Sequence, residues 1–238
     1  MWKWIALSLF SAMPYAVCAQ FPDLQGLLRT PSSPSSPVSD DKAAAGLKEA
    51  LEIGTGNAVN LTGRVDGYFR NEAIRIAMPD NLRMVEKGLR AVGYGPKVDE
   101  FVLSMNRAAE RASPAAKGIF VAAIREMSFD DARRILSGGD TAATDYFRDK
   151  TSDRLRAAFR PVVEKSMKES GVTQRYDELM GRYQSIPFAG GVAFDVNDYV
   201  VDRALGGLFY MIAQQEKDIR TNPQARVTAL LKSVFGNG

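Results

Sequence analysis

Residues 138–148 carry the densest group of polar side chains and read Gly-Gly-Asp-Thr-Ala-Ala-Thr-Asp-Tyr-Phe-Arg. Two glycines before a helix leave backbone N–H groups accessible. The N-terminus of a helix attracts anions, because its free N–H groups and its dipole both favour negative charge. If the helix starts at Thr141, residues at helical spacing share one face. The segment predicts an anion or ligand site made of Gly138, Gly139, Asp140, Thr141, Thr144, Asp145 and Arg148.

Helix ends alone also explain this segment. Gly138 could end one helix, Gly139 could turn the chain, and Asp140 could cap the next helix. The Asp140 carboxylate would then itself fill the anion position. Since the segment is not a phosphate-binding loop of the Walker type, we favour this structural interpretation on the sequence alone.

A second polar cluster, Asn106, Arg107 and Glu110, lies among apolar and small residues. Asn106 and Glu110 are four residues apart and therefore share one face of a helix, with Arg107 beside them. The cluster could form a buried network or contact a ligand. We favour the alternative, a solvent-exposed face with one weak ion pair.

The composition limits the chemistry available to the protein. The chain has no histidine, and Cys18 is its single cysteine. Catalytic triads, histidine bases and the usual zinc sites are therefore excluded. No calcium-binding loop is present, so we predict no metal site and no cofactor. One enzymatic alternative uses the carboxylates of Asp140, Asp145 and Glu110, with or without a divalent cation, if they converge in one cleft.

Charges of both signs are mixed along the 238 residues. There are 31 Lys and Arg against 28 Asp and Glu, and the formal net charge is +3. A nucleic-acid interface needs a basic stripe with aromatic residues between the charges. Basic residues form no run longer than a pair, so we predict no nucleic-acid partner.

Residues 1–19 have the pattern of a secretory signal peptide: a basic start, a short apolar run and small residues at the end. Val17 and Ala19 suit the −3 and −1 positions, which predicts cleavage after Ala19. The apolar run is shorter than the roughly 20 residues of a membrane-spanning helix. We therefore expect a periplasmic or secreted protein without a transmembrane helix in the mature chain.

Cys18 offers a different interpretation of the same segment. Lipoproteins are cut directly before a cysteine that then carries the lipid. Val17 and Tyr15 are poor residues for the positions before such a cut. Anchoring through Cys18 is therefore the less favoured alternative.

Residues 20–39 are rich in proline and serine and predict a disordered linker. From residue 40 to residue 238, apolar residues recur at helical spacing between glycine, proline and capping signals. This pattern predicts one all-α domain, a bundle or array of about 8–10 helices. At most a minor extended segment is expected near residues 71–77, where apolar and polar residues alternate.

Several helix ends can be predicted from capping residues. Ser128 with Asp131 has the spacing of a capping box. Thr151 or Ser152 is expected to cap a long helix that Pro161 kinks. Asp195 or Asn197 is expected to start the most apolar helix, and Thr173 another helix with apolar residues at helical spacing.

Four segments resemble a known family: residues 46–51, 105–110 and 207–210, and the run from Gly138 to Thr144 with Tyr146 and Phe147. The chain resembles the bacterial family catalogued as domain of unknown function 4197 over roughly residues 40–236. The resemblance implies an exported helical domain. It implies no activity and no catalytic residues.

The sequence contains no recognisable catalytic constellation, so we predict a binding or protein-interaction module of the bacterial periplasm. Its partner would be an envelope protein or a small ligand. The carboxylate enzyme and a purely structural envelope protein are the two alternatives. The pattern leaves the oligomeric state open.

Overall fold

The computed structural model describes residues 40–171, 176, 195–226, 228 and 232. The predicted signal peptide, the predicted linker and most of the predicted helix after Thr173 lie outside the described residues. Residues 38–238 form one compact unit.

The regular structure of the described residues is helical throughout, which confirms the all-α prediction. The α-helices are α1 (Asp40–Gly63), α2 (Arg83–Ala91), α3 (Gly95–Ala112), α4 (Ala116–Glu126), α5 (Phe129–Ser137), α6 (Ala142–Glu169) and α7 (Val196–Thr221). Short 3-10 turns span Asp80–Leu82, Ser113–Ala115 and Pro223–Ala225.

Helix α7 packs against α1, α3 and α6, and its apolar residues contribute to the core from several sides. Its start is fixed by Asp195, whose side chain accepts hydrogen bonds from the N–H groups of Asn197 and Asp198. This cap confirms the prediction at Asp195. It satisfies N–H groups that have no partner within the helix.

Helices α6 and α7 run antiparallel. Arg160 of α6 pairs with Asp198 at the start of α7, whereas Thr144 of α6 bonds to Glu216 near its end. This arrangement brings the first turn of α6 beside the last turns of α7.

Aromatic rings fill the core between α4, α6 and α7. Phe120 and Phe147 meet edge to face with centroids 5.3 Å apart, and Phe120 meets Phe209 at 6.4 Å. All three rings are buried. Such edge-to-face pairs add to the stabilisation that burial already gives.

The capping box at the start of α5 is confirmed. The Ser128 hydroxyl accepts a hydrogen bond from the Asp131 N–H, and the Asp131 carboxylate accepts one from the Ser128 N–H. These two bonds satisfy backbone donors that the first helical turn leaves open.

The predicted cap at Thr151 or Ser152 is wrong, because α6 continues through both residues. The Thr151 hydroxyl donates to the Phe147 carbonyl, and the Ser152 hydroxyl donates to the Arg148 carbonyl. Back-bonding of this kind lets serine and threonine remain inside a helix. α6 therefore runs unbroken from residue 142 to residue 169.

Candidate functional site

Asn106 on α3 pairs with the backbone of Ile76. Its side-chain oxygen accepts from the Ile76 N–H at 2.9 Å, and its side-chain nitrogen donates to the carbonyls of Ile76 at 2.8 Å and Val102 at 2.7 Å. Burial alternates across residues 74–77, as the sequence pattern predicted. No strand forms among the described residues: residues 72–74 form a turn, and the Asn106 side chain supplies the hydrogen-bond partners of the Ile76 backbone.

Glu110 binds the backbone of the turn that follows α1. One carboxylate oxygen accepts from the N–H groups of Tyr68 at 3.1 Å and Phe69 at 3.2 Å. The other oxygen lies 2.6 Å from the Arg107 guanidinium, which also contacts Asp66 at 2.6 Å. The hydrogen bond to Glu110 raises the pKa of Arg107. Both oxygens of this buried carboxylate are therefore used inside the fold.

The turn held by Glu110 packs closely against α1 and α7. A Cβ atom at Gly67 would lie 2.4 Å from the Leu61 carbonyl oxygen, so this position requires glycine. The Tyr68 hydroxyl donates to the Ala204 carbonyl at 2.7 Å, and burial raises the pKa of this tyrosine. Glu110 therefore fixes the turn whose Tyr68 side chain contacts α7.

The favoured solvent-exposed interpretation of Asn106 and Glu110 is wrong, because both side chains are buried. The structure instead shows the buried network that was the alternative. Arg107 is partly exposed and joins this network to the surface through Asp66. Whether these residues contact a ligand stays a prediction.

An internal carboxylate occupies the N-terminus of α6. Glu216 of α7 accepts hydrogen bonds from the N–H groups of Ala143 and Thr144, both at 2.9 Å. It also accepts the Thr144 hydroxyl at 2.8 Å. The free N–H groups and dipole of a helix start favour negative charge here. The anion at this helix end is therefore Glu216.

Arg220 balances the charge of Glu216 and connects a third helix. Its guanidinium bonds to Glu216 at 2.9 Å and to the Ile135 carbonyl of α5 at 2.9 Å. One arginine and one carboxylate thus tie the end of α5, the start of α6 and the end of α7. Glu216 is buried and Arg220 nearly so.

The other residues of the predicted anion site lie around this buried centre, on the surface. Gly138, Gly139, Asp140, Thr141, Asp145 and Arg148 are exposed, and Thr144 is buried. The predicted cap at Asp140 is wrong, because the helix starts one residue later, with Thr141 as the N-cap residue and no side-chain cap bond. The Thr141 hydroxyl instead lies 3.2 Å from the Asp145 carboxylate.

Two predicted residues have packing roles that the structure makes visible. The Arg148 guanidinium stacks over the buried Phe209 ring at 5.1 Å, a favourable cation–π contact. A Cβ atom at Gly138 would lie 2.5 Å from the Cβ atom of Ala142. The close approach of α5 and α6 therefore explains the first glycine of the pair.

The structure does not bring the carboxylates of the two clusters together. Glu110 contacts the turn at residues 68–69, whereas Glu216 contacts residues 143–144. Along α7, the Ala204 contact of Tyr68 and Glu216 are separated by about 18 Å, since a helix rises about 1.5 Å per residue. Across the described ranges, no group of three acidic or other metal-binding side chains is placed to hold a metal ion.

An open groove of about 690 Å³ lies beside the turn held by Glu110. We call it the 61–73 groove. Its walls are formed by Leu61, Arg64, Val65, Asp66, Gly67, Arg70, Asn71, Glu72, Ala73 and Met211. It combines charged side chains with apolar ones.

Two charged side chains of the 61–73 groove have no charged partner in the part of the chain that the structure describes. Arg70 pairs with Asp66 at 3.0 Å. Among the described residues, neither Arg64 nor Glu72 has a charged partner or a side-chain hydrogen bond. Val65 is 75% exposed beside them. Besides the Arg70–Asp66 pair, the groove therefore presents the charges of Arg64 and Glu72 and apolar surface to the solvent.

Sequence reasoning missed Glu216 and Arg220. The i, i+4 spacing of Glu216 and Arg220 near the end of an apolar helix was a signal, but it equally fits an exposed ion pair. Their partners are 72 to 85 residues away in the chain. Local spacing carries no information on such contacts.

Among the described residues, no helix combines the length and apolar composition that crossing a bilayer requires. A comparison with curated proteins and with solved structures found no match. Residues 37–236 match the model of a family described as protein of unknown function, DUF4197. The match spans most of the chain and includes both buried networks and the 61–73 groove, so the protein belongs to the DUF4197 family.

Proposed function

We propose that this protein is exported and acts in the bacterial periplasm as a binding or protein-interaction module, with the 61–73 groove as its binding surface. The observation that carries the proposal is the pair Arg64 and Glu72, which line the groove without charged partners among the described residues. A ligand or polypeptide segment that carries both charges would complete them. Met211, a flexible apolar side chain, offers an adaptable contact surface in the same groove.

The use of the buried carboxylates supports binding over catalysis. Glu110 and Glu216 each accept two backbone N–H groups and pair with an arginine. A general acid or base must reach the substrate, whereas these two groups are enclosed by their partners. The carboxylate enzyme would have to use exposed groups such as Asp140 and Asp145. These lie in the segment 138–148 and do not line the 61–73 groove.

The export part of the proposal rests on residues 1–19 and their signal-peptide pattern. The balanced composition and the all-α core suit a stable protein without disulfides. Export and binding can fail separately, and each has its own test.

Photo-cross-linking in cells tests the groove. Benzoylphenylalanine replaces Val65, which lines the groove, or Lys117, an exposed residue on α4 that serves as the control. We expect a discrete adduct from position 65 and not from position 117. Arg64→Glu and Glu72→Lys, each in the position-65 background, should reduce the adduct, because either change reverses a charge that the partner must match.

Charge reversal at an unrelated surface residue, Lys117→Glu, should leave the adduct unchanged. The binding proposal fails if position 65 gives no adduct and the native mass spectrum of the protein from its own envelope shows no bound mass. It fails equally if adducts form but do not respond to Arg64→Glu or Glu72→Lys.

A further inference from the structure

The apolar side chains of the 61–73 groove come from three parts of the fold. Leu61 lies in the last turn of α1, and Met211 lies on α7. Val65 and Ala73 belong to the segment after α1 and are exposed, whereas Leu61 and Met211 are half-buried. The Asn71 amide donates to the Met211 sulfur at 3.6 Å and so connects this segment to α7. We call Leu61, Val65, Ala73 and Met211 the apolar wall of the groove.

The backbone beside the apolar wall is already used by the fold. From Gly67 to Ile76, each backbone N–H except that of Glu72 donates a hydrogen bond within the chain. The acceptors are carbonyls of the same segment, the Glu110 carboxylate and the side chain of an asparagine. The groove therefore contacts a partner mainly through its side chains.

This use of the backbone favours a helical partner over an extended one. An extended segment carries open N–H and C=O groups along both edges, and burying them without partners costs free energy. Extended peptides commonly pair with the edge of a sheet, and the regular structure in the described ranges contains no sheet. A helix satisfies its own backbone and can place one apolar face on the apolar wall.

The open shape of the groove favours a macromolecule over a small ligand. Sites for small molecules enclose most of the surface of the ligand, whereas this groove is open to solvent and Val65 in its wall is 75% exposed. A second copy of the chain is not the expected occupant. A groove that binds a helix elsewhere on an identical copy gives a head-to-tail contact, whereas twofold pairs are the commonest assemblies of identical chains.

Resting on the proposed binding role of the groove, we infer that its occupant is an amphipathic helix of a different protein. The helix lays its apolar face on the apolar wall and carries an acidic side chain for Arg64 and a basic one for Glu72. Arg64 and Glu72 have no charged partner in the portion of the chain that the structure describes. The two partner charges therefore fix how the helix lies in the groove.

Cross-linking in cells maps the side chains that the partner presents to the groove. Benzoylphenylalanine replaces Val65 or Ala73, the two exposed positions of the apolar wall, in the full-length protein. Mass spectrometry of the digested adducts should identify partner residues three, four or seven positions apart, the spacing of one helix face. Contacts two positions apart, the spacing of an extended segment, overturn the inference and leave the binding role of the groove intact. Lys117, exposed on α4, is the control position.

A synthetic peptide of the cross-linked partner segment, labelled with fluorescein, tests the helical conformation directly. Fluorescence anisotropy measures its affinity for the purified protein. A bridge between two solvent-facing peptide residues four apart should raise the affinity, and a central proline should lower it by more than about tenfold, because proline breaks a helix. Equal affinities of the proline peptide and the unmodified peptide overturn the inference.

A charge exchange tests the pairing with Arg64. Arg64→Glu should weaken the unmodified peptide by about tenfold, and lysine in place of the acidic peptide residue should restore binding to this variant. Lys117→Glu should leave both affinities unchanged. A lysine peptide that does not recover affinity for Arg64→Glu overturns the assigned pairing.

The cross-linked product also separates failure of the helical occupant from failure of the groove. Adducts with a small molecule or with a second copy of this chain overturn the inference, although the groove still binds. If neither position gives an adduct, the inference fails. The binding role of the groove fails with it when the native mass spectrum also lacks a bound mass.

Discussion

At the scale of single residues, the DUF4197 chain uses buried carboxylates as fixed anions for its own backbone. Glu216 supplies the negative charge that the first turn of α6 favours, and Glu110 does the same for the turn at residues 68–69. Each carboxylate also pairs with one arginine. The charge and the hydrogen-bonding capacity of both groups are thereby satisfied, which is the condition for keeping a carboxylate buried.

Glu216→Ala should lower the free energy of unfolding by about 3–5 kcal/mol, because it removes one partner of a buried ion pair. The N–H groups of Ala143 and Thr144 lose their acceptor, and Arg220 loses its counter-charge. Urea denaturation followed by circular dichroism measures the change.

The matched control is Glu164→Ala, which removes a carboxylate from an exposed pair with Arg160 on α6. This variant should change the free energy of unfolding by less than about 0.5 kcal/mol. Equal stability losses in the two variants would show that Glu216 does not hold α6 in the way described.

Two residues show how far sequence reasoning reached at this scale. The sequence placed Asn106 and Glu110 on one helix face, which the structure confirms. It wrongly favoured exposure, because the burial of both side chains depends on residues 68–76, about 30 to 40 positions away in the chain. Side chains that bind distant backbone leave no local periodicity.

At the scale of helices, the cap of α5 makes a prediction about acid stability. Hydrogen bonds from the Ser128 hydroxyl and N–H lower the pKa of Asp131, with a smaller contribution from Arg134. A lowered folded-state pKa means that this stabilisation is present above the pKa of the unfolded chain, near 4. It is lost as the pH falls through the folded-state value.

Asp131→Asn should therefore reduce the loss of stability as the pH falls below about 4, because asparagine does not titrate. At neutral pH, the same variant should be less stable by about 1 kcal/mol, since a carboxylate suits a helix start better than an amide. Thermal denaturation across this pH range measures both effects. Asp130→Asn, which changes the adjacent exposed carboxylate outside the capping box, is the matched control. An Asp131→Asn curve parallel to that of the wild type would contradict the role of the capping box.

Helix ends could be predicted where one short motif decides the matter. Ser128 with Asp131 and Asp195 with its following N–H groups are such cases, because all partners lie within three residues. The predicted cap at Thr151 or Ser152 was wrong because a serine or threonine hydroxyl can serve two purposes. It can cap the start of a helix, or it can donate to a backbone carbonyl of the preceding turn inside one. The buried residues Phe147, before them, and Leu155, after them, favour the continuous helix.

At the scale of the whole molecule, the mature N-terminus distinguishes the two export routes that the sequence allows. Cleavage after Ala19 gives a chain that starts at Gln20 and has no cysteine. Cleavage before Cys18 gives a lipid-modified chain. We expect the first product, in the periplasmic or secreted fraction.

Intact-mass measurement of the protein from cell fractions identifies the product directly, and Cys18→Ser provides the control. The variant should be processed and located like the wild type if Ala19 is the cleavage position. A mass that includes acyl chains, or loss of processing in Cys18→Ser, would contradict soluble export.

The position of α7 in the chain has a consequence for how the protein folds. Helix α7 is the last described α-helix, yet Tyr68, Thr144 and Arg160 all bond to it. A polypeptide emerges N-terminus first, so the earlier helices appear before the surface that covers them has been made. Their apolar faces then stay open to water and to other chains until residue 221 has emerged, which exposes the nascent protein to aggregation. Truncation before α7 should therefore increase the dependence of the chain on chaperones.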